Sequence, residues 1–187
     1  MTVSVTTFGD LLERRKDTIV DRWVDEVLSA YPSDAAALFR KQRDPFANPL
    51  GHSVREGTRG VLQAILQGMP AEKLREDLDR ILRIRAVQDL TPTQAVSFVF
   101  SLRSIVRDVV PEAEGEARHR DELAALDRKI DQVALAAFEL YTARREELNR
   151  LRINEVKRQV AWTFERMNRG RDEPEDVVED ANPTNSA

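Results

Sequence analysis

Apolar positions recur along most of this chain at steps of three and four residues, the period of α-helices buried along one face. Phe8, Leu11, Leu12, Ile19, Trp23, Val27 and Leu28 make the first stripe. Thr7, with Asp10 three residues on, forms a weak capping box at its start. Pro32 disfavours helical geometry at Tyr31 and ends the helix. Ser33 then caps a short helix from Asp34 to about Gln42. In the stretch RDPFANPLGH that follows, two prolines, an asparagine and a glycine mark a shaped loop.

A third helix is predicted over Gly51 to Gln67, with Val54, Val61, Leu62, Ile65 and Leu66 inward. Gly68 stops it, and Pro70 suits the first turn of the next helix. The fourth helix buries Leu74, Leu78, Ile81, Leu82 and one of Ile84 or Val87, and runs out near Asp89. The fifth has the clearest start: Thr91 is the cap, Pro92 takes the first helical position, and Gln94 completes a Thr-x-x-Gln box. It is apolar nearly all round, from Val96 through Phe98, Val99, Phe100, Leu102, Ile105 and Val106 to Val109, which predicts a central place. Pro111 closes it.

The last element is the longest. Leu123, Leu126, Ile130, Val133, Ala137 and Leu140 follow heptad spacing. The polar run TARREE interrupts the seam, and Leu148, Leu151, Val156, Val160, Phe164 and Met167 then resume a helical stripe. Unbroken, residues 121–168 would reach roughly 70 Å. The helix is therefore expected either to break near Arg144 or to project, and a projecting apolar stripe needs a partner, a second copy being the simplest. No strand-like alternation and no repeat stand out. The predicted class is all-α, five to six helices around the fifth, with a long C-terminal helix.

Composition sharpens this in three ways. A length of 187 residues suits one domain, placed at 1–168. Residues 169–187 carry six acids against two bases, which accounts for the net charge of −4 and leaves the rest neutral; with few large apolar groups this tail is expected to be disordered. Without a basic excess, no nucleic-acid partner is expected. No apolar run approaches the roughly 18 residues of a membrane span, so any membrane contact would be peripheral. The N-terminus lacks the pattern of a secretory signal and there is no cysteine, so the expected location is cytoplasmic.

Chemistry is sparse. There is no glycine-rich phosphate loop, and only two histidines, His52 and His119, both read as surface or capping residues. Acids alternate with bases, as in REDLDR and RREELNR, the pattern of a solvated helix face. No metal site and no catalytic set emerge, so the chain is not expected to be an enzyme. The basic amphipathic stretch RLRINEVKRQVAWTFERMNRGR reads first as a packing face with snorkelling arginines, and second as a face for a partner's groove.

The densest polar segment is RIRAVQDLTPTQAV, residues 83–96. Asp89 suits the helix start that follows it, and Arg83 and Arg85 suit the helix end before it. Beyond that place at the helix end for Arg85, helix chemistry assigns no job to Arg85, Gln88 or Arg103. Such residues fix an anion or a partner carboxylate, and a buried polar network joining the fourth and fifth helices is predicted at Arg85-x-x-Gln88-Asp89.

With DPFANPLG at 44–51, IRAVQDLTPTQAVSFVFSLRSIVR at 84–107 and RWVDEVLSAYP at 22–32, the chain resembles the N-terminal domain of RsbRD-type RsbT co-antagonists over roughly residues 10–140. The resemblance implies a globin-like, non-haem helical domain, typically paired as a homodimer, that senses and signals through a terminal helix to a STAS domain. No STAS segment follows here, so a regulatory or accessory module is implied, with a regulatory or respiratory-complex protein as candidate partner, and direct RsbT antagonism is not. The motifs make Asp44, Asn48, Arg85, Gln88, Asp89 and Arg103 the candidate ligand or interface residues, beside the cap residues Thr91 and Gln94. A haem globin needs a proximal histidine on the helix before the last two long ones. Residues 71–89 hold none, while His52 sits on an earlier helix, where a distal residue would lie. No cofactor is expected. Two functions follow: a non-catalytic sensor or adaptor, or a globin-type binder of haem or another small ligand.

Overall fold

Thr7 is extended, its hydroxyl accepts from the Asp10 N–H, and the Asp10 carboxylate accepts from the Thr7 N–H. This capping box starts α1 (Phe8–Arg14) in a computed structural model that describes residues 7–42, 44–88, 90–109 and 119–169. The single predicted first helix is in fact two. Arg15 sits at φ −101° and ψ 2°, its N–H shared between the carbonyls of Leu11 and Leu12, and α2 (Lys16–Leu28) starts beyond it. Between Leu12 and Ile19 no apolar side chain anchors the helix, so nothing in the core enforces continuity there.

Helix α3 (Ser33–Lys41) follows Pro32, with Ser33 already inside the helix rather than capping it. Helix α4 (Pro49–Gln67) begins two residues before the predicted start, because Asn48 caps it and Pro49 fits its first position. Gly68, at φ 71°, ends it in the left-handed conformation that favours glycine. Helix α5 (Ala71–Ala86), α6 (Pro92–Val109) and α7 (Arg120–Arg169) complete the order. The described residues thus form seven helices and no strand, an all-α fold with a long C-terminal helix. Asp89, Pro111 with its polar turn, and the acidic tail beyond Arg169 lie outside the described residues.

The chain divides into two units, one up to Glu147 and one from Leu148. In the first, α2 packs against α1, α3, α4 and α6 and buries Ile19, Val20, Trp23, Val24, Val27 and Leu28. Trp23, fully buried, donates its indole N–H to the Phe98 carbonyl at 2.6 Å. Helix α6 is less encircled than its composition suggests. Val99, Leu102 and Val106 are buried, but Ser97, Phe100 and Ser104 face solvent. Small residues let α4 and α5 approach closely: a Cβ on Gly57 would lie 2.7 Å from the Asp77 carbonyl oxygen.

Within this unit the predicted seam of α7 is buried at Leu123, Leu126, Ile130, Val133 and Ala137, and Tyr141 extends it. The TARREE stretch does not break the helix. Arg144 forms a two-point pair with Asp79 of α5, at 2.7 and 2.9 Å. Arg145 donates to the Ala86 carbonyl at 3.1 Å, so the interruption of the apolar pattern is where α7 clamps the end of α5. In the second unit every residue from 151 to 168 is exposed.

Candidate functional site

Arg85 lies in the last turn of α5 and is only 3% exposed. Its Nη1 donates to the Val27 carbonyl at 2.6 Å and its Nη2 to the Gln94 carbonyl at 2.8 Å. The guanidinium carbon stands 5.3 Å from the centre of the Phe98 ring. One side chain therefore joins α2, α5 and α6. Val27 sits in the last turn of α2, where unpaired carbonyls and the helix dipole both favour a cation. Burial pulls the Arg85 pKa below the usual arginine value, partly opposed by Tyr31 and Tyr141.

Three buried polar atoms in this region make no well-formed hydrogen bond: Arg85 Nε, and Gln88 Oε1 and Tyr31 Oη, which lie close enough to act on each other. Burial raises the Tyr31 phenol above its ordinary pKa, against the pull of Arg85 and Gln88. Such orphans are uncommon and each calls for an explanation. Beside Arg85 a solvent-open pocket of about 370 Å³ is lined by Glu26, Ser29, Gln94, Ser97 and Phe98, among others.

The structure brings some of the candidate residues together and separates others. Arg85 and Gln88 share the buried region, and Asp89 lies outside the described residues. Thr91 and Gln94 form the capping box: the Thr91 N–H donates to Gln94 Oε1 at 2.9 Å, and the Gln94 N–H to Thr91 Oγ1 at 3.3 Å. The Gln94 carbonyl meanwhile holds Arg85.

Asn48, Asp44 and Arg103 are placed elsewhere. Asn48 is buried; its Oδ1 accepts from the Gly51 N–H at 2.8 Å, and its Nδ2 donates to the carbonyls of Phe39 and Gln42. All three bonds belong to the α3–α4 connection. Asp44 is exposed and accepts from the Phe46 N–H at 3.0 Å. Arg103 pairs with Asp127 and Asp131 and lies over the Phe100 ring, fastening α6 to α7.

Several side chains lie where composition gives no sign of them. Asp77, read within REDLDR as part of a solvated face, is 3% exposed, with Oδ2 buried and unpartnered. The clue lay in Gly57 and Gly60, spaced for a close helix crossing. His119, read as a surface or capping residue, is buried against the Phe8 ring at 5.4 Å, with Nδ1 3.5 Å from Glu122. Its burial depends on α1, far away in sequence. His52 is exposed. Glu26, Ser29 and Ser97 looked like ordinary helix surface, and no local pattern marks them as pocket-lining.

Among the described residues no cluster of three His, Cys, Asp or Glu could hold a metal ion, and no helix is long and apolar enough to cross a membrane. No curated protein and no solved structure matches the chain. The family described as RsbT co-antagonist protein rsbRD N-terminal domain matches residues 17–156, well over half of the sequence. The chain belongs to that family, whose members are regulatory sensor domains of the stress response.

Proposed function

We propose that this chain is a non-catalytic sensor or adaptor of the cytoplasm that pairs with a second copy of itself through helical faces and relays its state to a regulatory protein along α7. One observation carries the reading. In the second unit Ile153, Val156, Val160, Thr163 and Met167 follow each other at steps of three, four, three and four. From Leu151 to Met167 the large apolar side chains of this unit are all about half exposed or more. An apolar patch of this kind marks an interaction surface. The spacing is that of a coiled-coil seam.

Light scattering of the full chain at micromolar concentration tests this. A dimer is expected, converted to a helical monomer by Val160→Asp. In a parallel pair Arg152 would face Lys157 of the other copy across the seam, a like-charge contact, so added salt should tighten the dimer. A monomeric wild type, or a dimer unaffected by Val160→Asp, would overturn this reading.

The pocket beside Arg85 supports a second reading, a small-ligand binder. Haem suits it poorly: α5 carries no histidine, and His52 is exposed. A haem-reconstituted sample without a bound Soret band would remove the haem version.

A further inference from the structure

We infer that the pocket beside Arg85 takes a small zwitterion of the α-amino-acid class, its carboxylate held by Arg85 and its ammonium group by Glu26. The inference rests on the small-ligand reading and is independent of the pairing of α7.

A guanidinium has five N–H donors. Two of those on Arg85 go to carbonyls, none meets a carboxylate, and the Nε–H is buried without a partner. The α2 carbonyl offsets part of the cost of this buried charge, but a buried cation without an anion remains expensive. A carboxylate entering the adjacent pocket would supply that anion through charge-assisted bonds.

A second charged residue in the lining decides against a plain anion. Glu26 lines the same pocket, and among the described residues no cation pairs with it. Its charge repels a lone carboxylate and attracts an ammonium group. The two serines act in the same sense. Ser29 Oγ donates its proton to the Glu26 carbonyl at 2.7 Å, and Ser97 Oγ donates to the Gln94 carbonyl at 3.0 Å. Each hydroxyl has thereby committed its only proton and presents lone pairs, which accept from an ammonium group. Arg85 brings the charged donors, and Glu26, Ser29 and Ser97 bring acceptors.

Phe98 and Leu90 supply apolar wall for a short side chain. A volume of about 370 Å³ lies at the small end of ligand sites, suited to an amino acid and too small for haem.

Isothermal titration calorimetry on the full chain tests this with free α-amino acids, the matched plain carboxylates and the matched amines. Saturable binding of at least one amino acid is expected, about tenfold or more tighter than either matched fragment, the size of one charge-assisted bond. Because Arg85 also holds helices together, the discriminating variant is Glu26→Gln on the exposed rim. It should keep the helical circular dichroism and thermal midpoint of the wild type, and should bind the amino acid no better than the plain carboxylate. Ser97→Leu, which fills the mouth, should abolish binding without unfolding the chain. The inference is overturned by folded wild type that binds no amino acid at millimolar concentration, by equal affinity for the plain carboxylate, or by a Glu26→Gln variant that retains the preference. None of these outcomes bears on the light-scattering test of the seam.

Discussion

Arg85 Nη1 donates to the Val27 carbonyl at 2.6 Å, across 58 residues of sequence, and so ties the last turn of α5 to the last turn of α2. The second bond, to Gln94, brings in the first turn of α6. Lysine carries a point charge on a flexible stem and cannot reach both carbonyls as a planar fork does. Arg85→Lys should therefore destabilise the fold by about 2–4 kcal/mol, one to two hydrogen bonds of a charged group. Urea unfolding measures this, and a loss within error of zero would show the two bonds to be incidental.

Asn48 predicts a different pattern, because cap and crosslink are separable. Asn48→Ala loses the bond from Gly51 and both bonds to α3 and its end, for about 2–3 kcal/mol. Asn48→Ser keeps an acceptor for the cap and should recover about 1 kcal/mol of that. If serine does no better than alanine in thermal or urea unfolding, the crosslink to Phe39 and Gln42 carries the whole effect.

Gly57 tests the α4–α5 crossing. Glycine to alanine inside a helix gains up to about 1 kcal/mol from propensity alone. At Gly57 the added Cβ meets the Asp77 backbone oxygen at 2.7 Å and Ile81 Cγ1 at 2.9 Å, and backbone cannot swing aside. Overpacking of this kind costs about 1–3 kcal/mol, so Gly57→Ala should be destabilising on balance. Gly9→Ala, whose Cβ meets nothing nearer than 3.9 Å, should be neutral or slightly stabilising. The two thermal midpoints should move apart.

Tyr31 sets an alkaline limit. Its phenol is raised above the ordinary value of 10.0, so the folded state holds this proton more tightly than the unfolded chain does. The associated stability is complete below 10.0 and is lost as pH rises from 10.0 through the folded value. Absorbance titration near the tyrosinate band should show a late-ionising step, and Tyr31→Phe should remove it. Stability measured at alkaline pH should then fall less steeply in Tyr31→Phe than in the wild type.

Features closed within four residues are legible in the sequence alone. The boxes at Thr7–Asp10 and Thr91–Gln94, the stop at Gly68 and the break at Pro32 depend on bonds or clashes between near neighbours, whose geometry a helix start or end prescribes. The stripes of α2, α4, α5 and the first half of α7 were legible for a related reason: a period of three and four states which face is buried.

What faces that side is another matter, and only the tertiary structure decided it. REDLDR looks like a solvated face, yet Asp77 is buried because Gly57 and Gly60 let α4 lie against it. TARREE looks like a break, yet Arg144 and Arg145 hold Asp79 and the Ala86 carbonyl. Arg85 bonds to carbonyls that its own segment does not announce, since Val27 comes from a helix that only folding brings alongside. Capped helix starts and glycine stops are thus properties of the local chain. The pocket belongs to the crossing of α2, α5 and α6, where residues far apart in sequence meet.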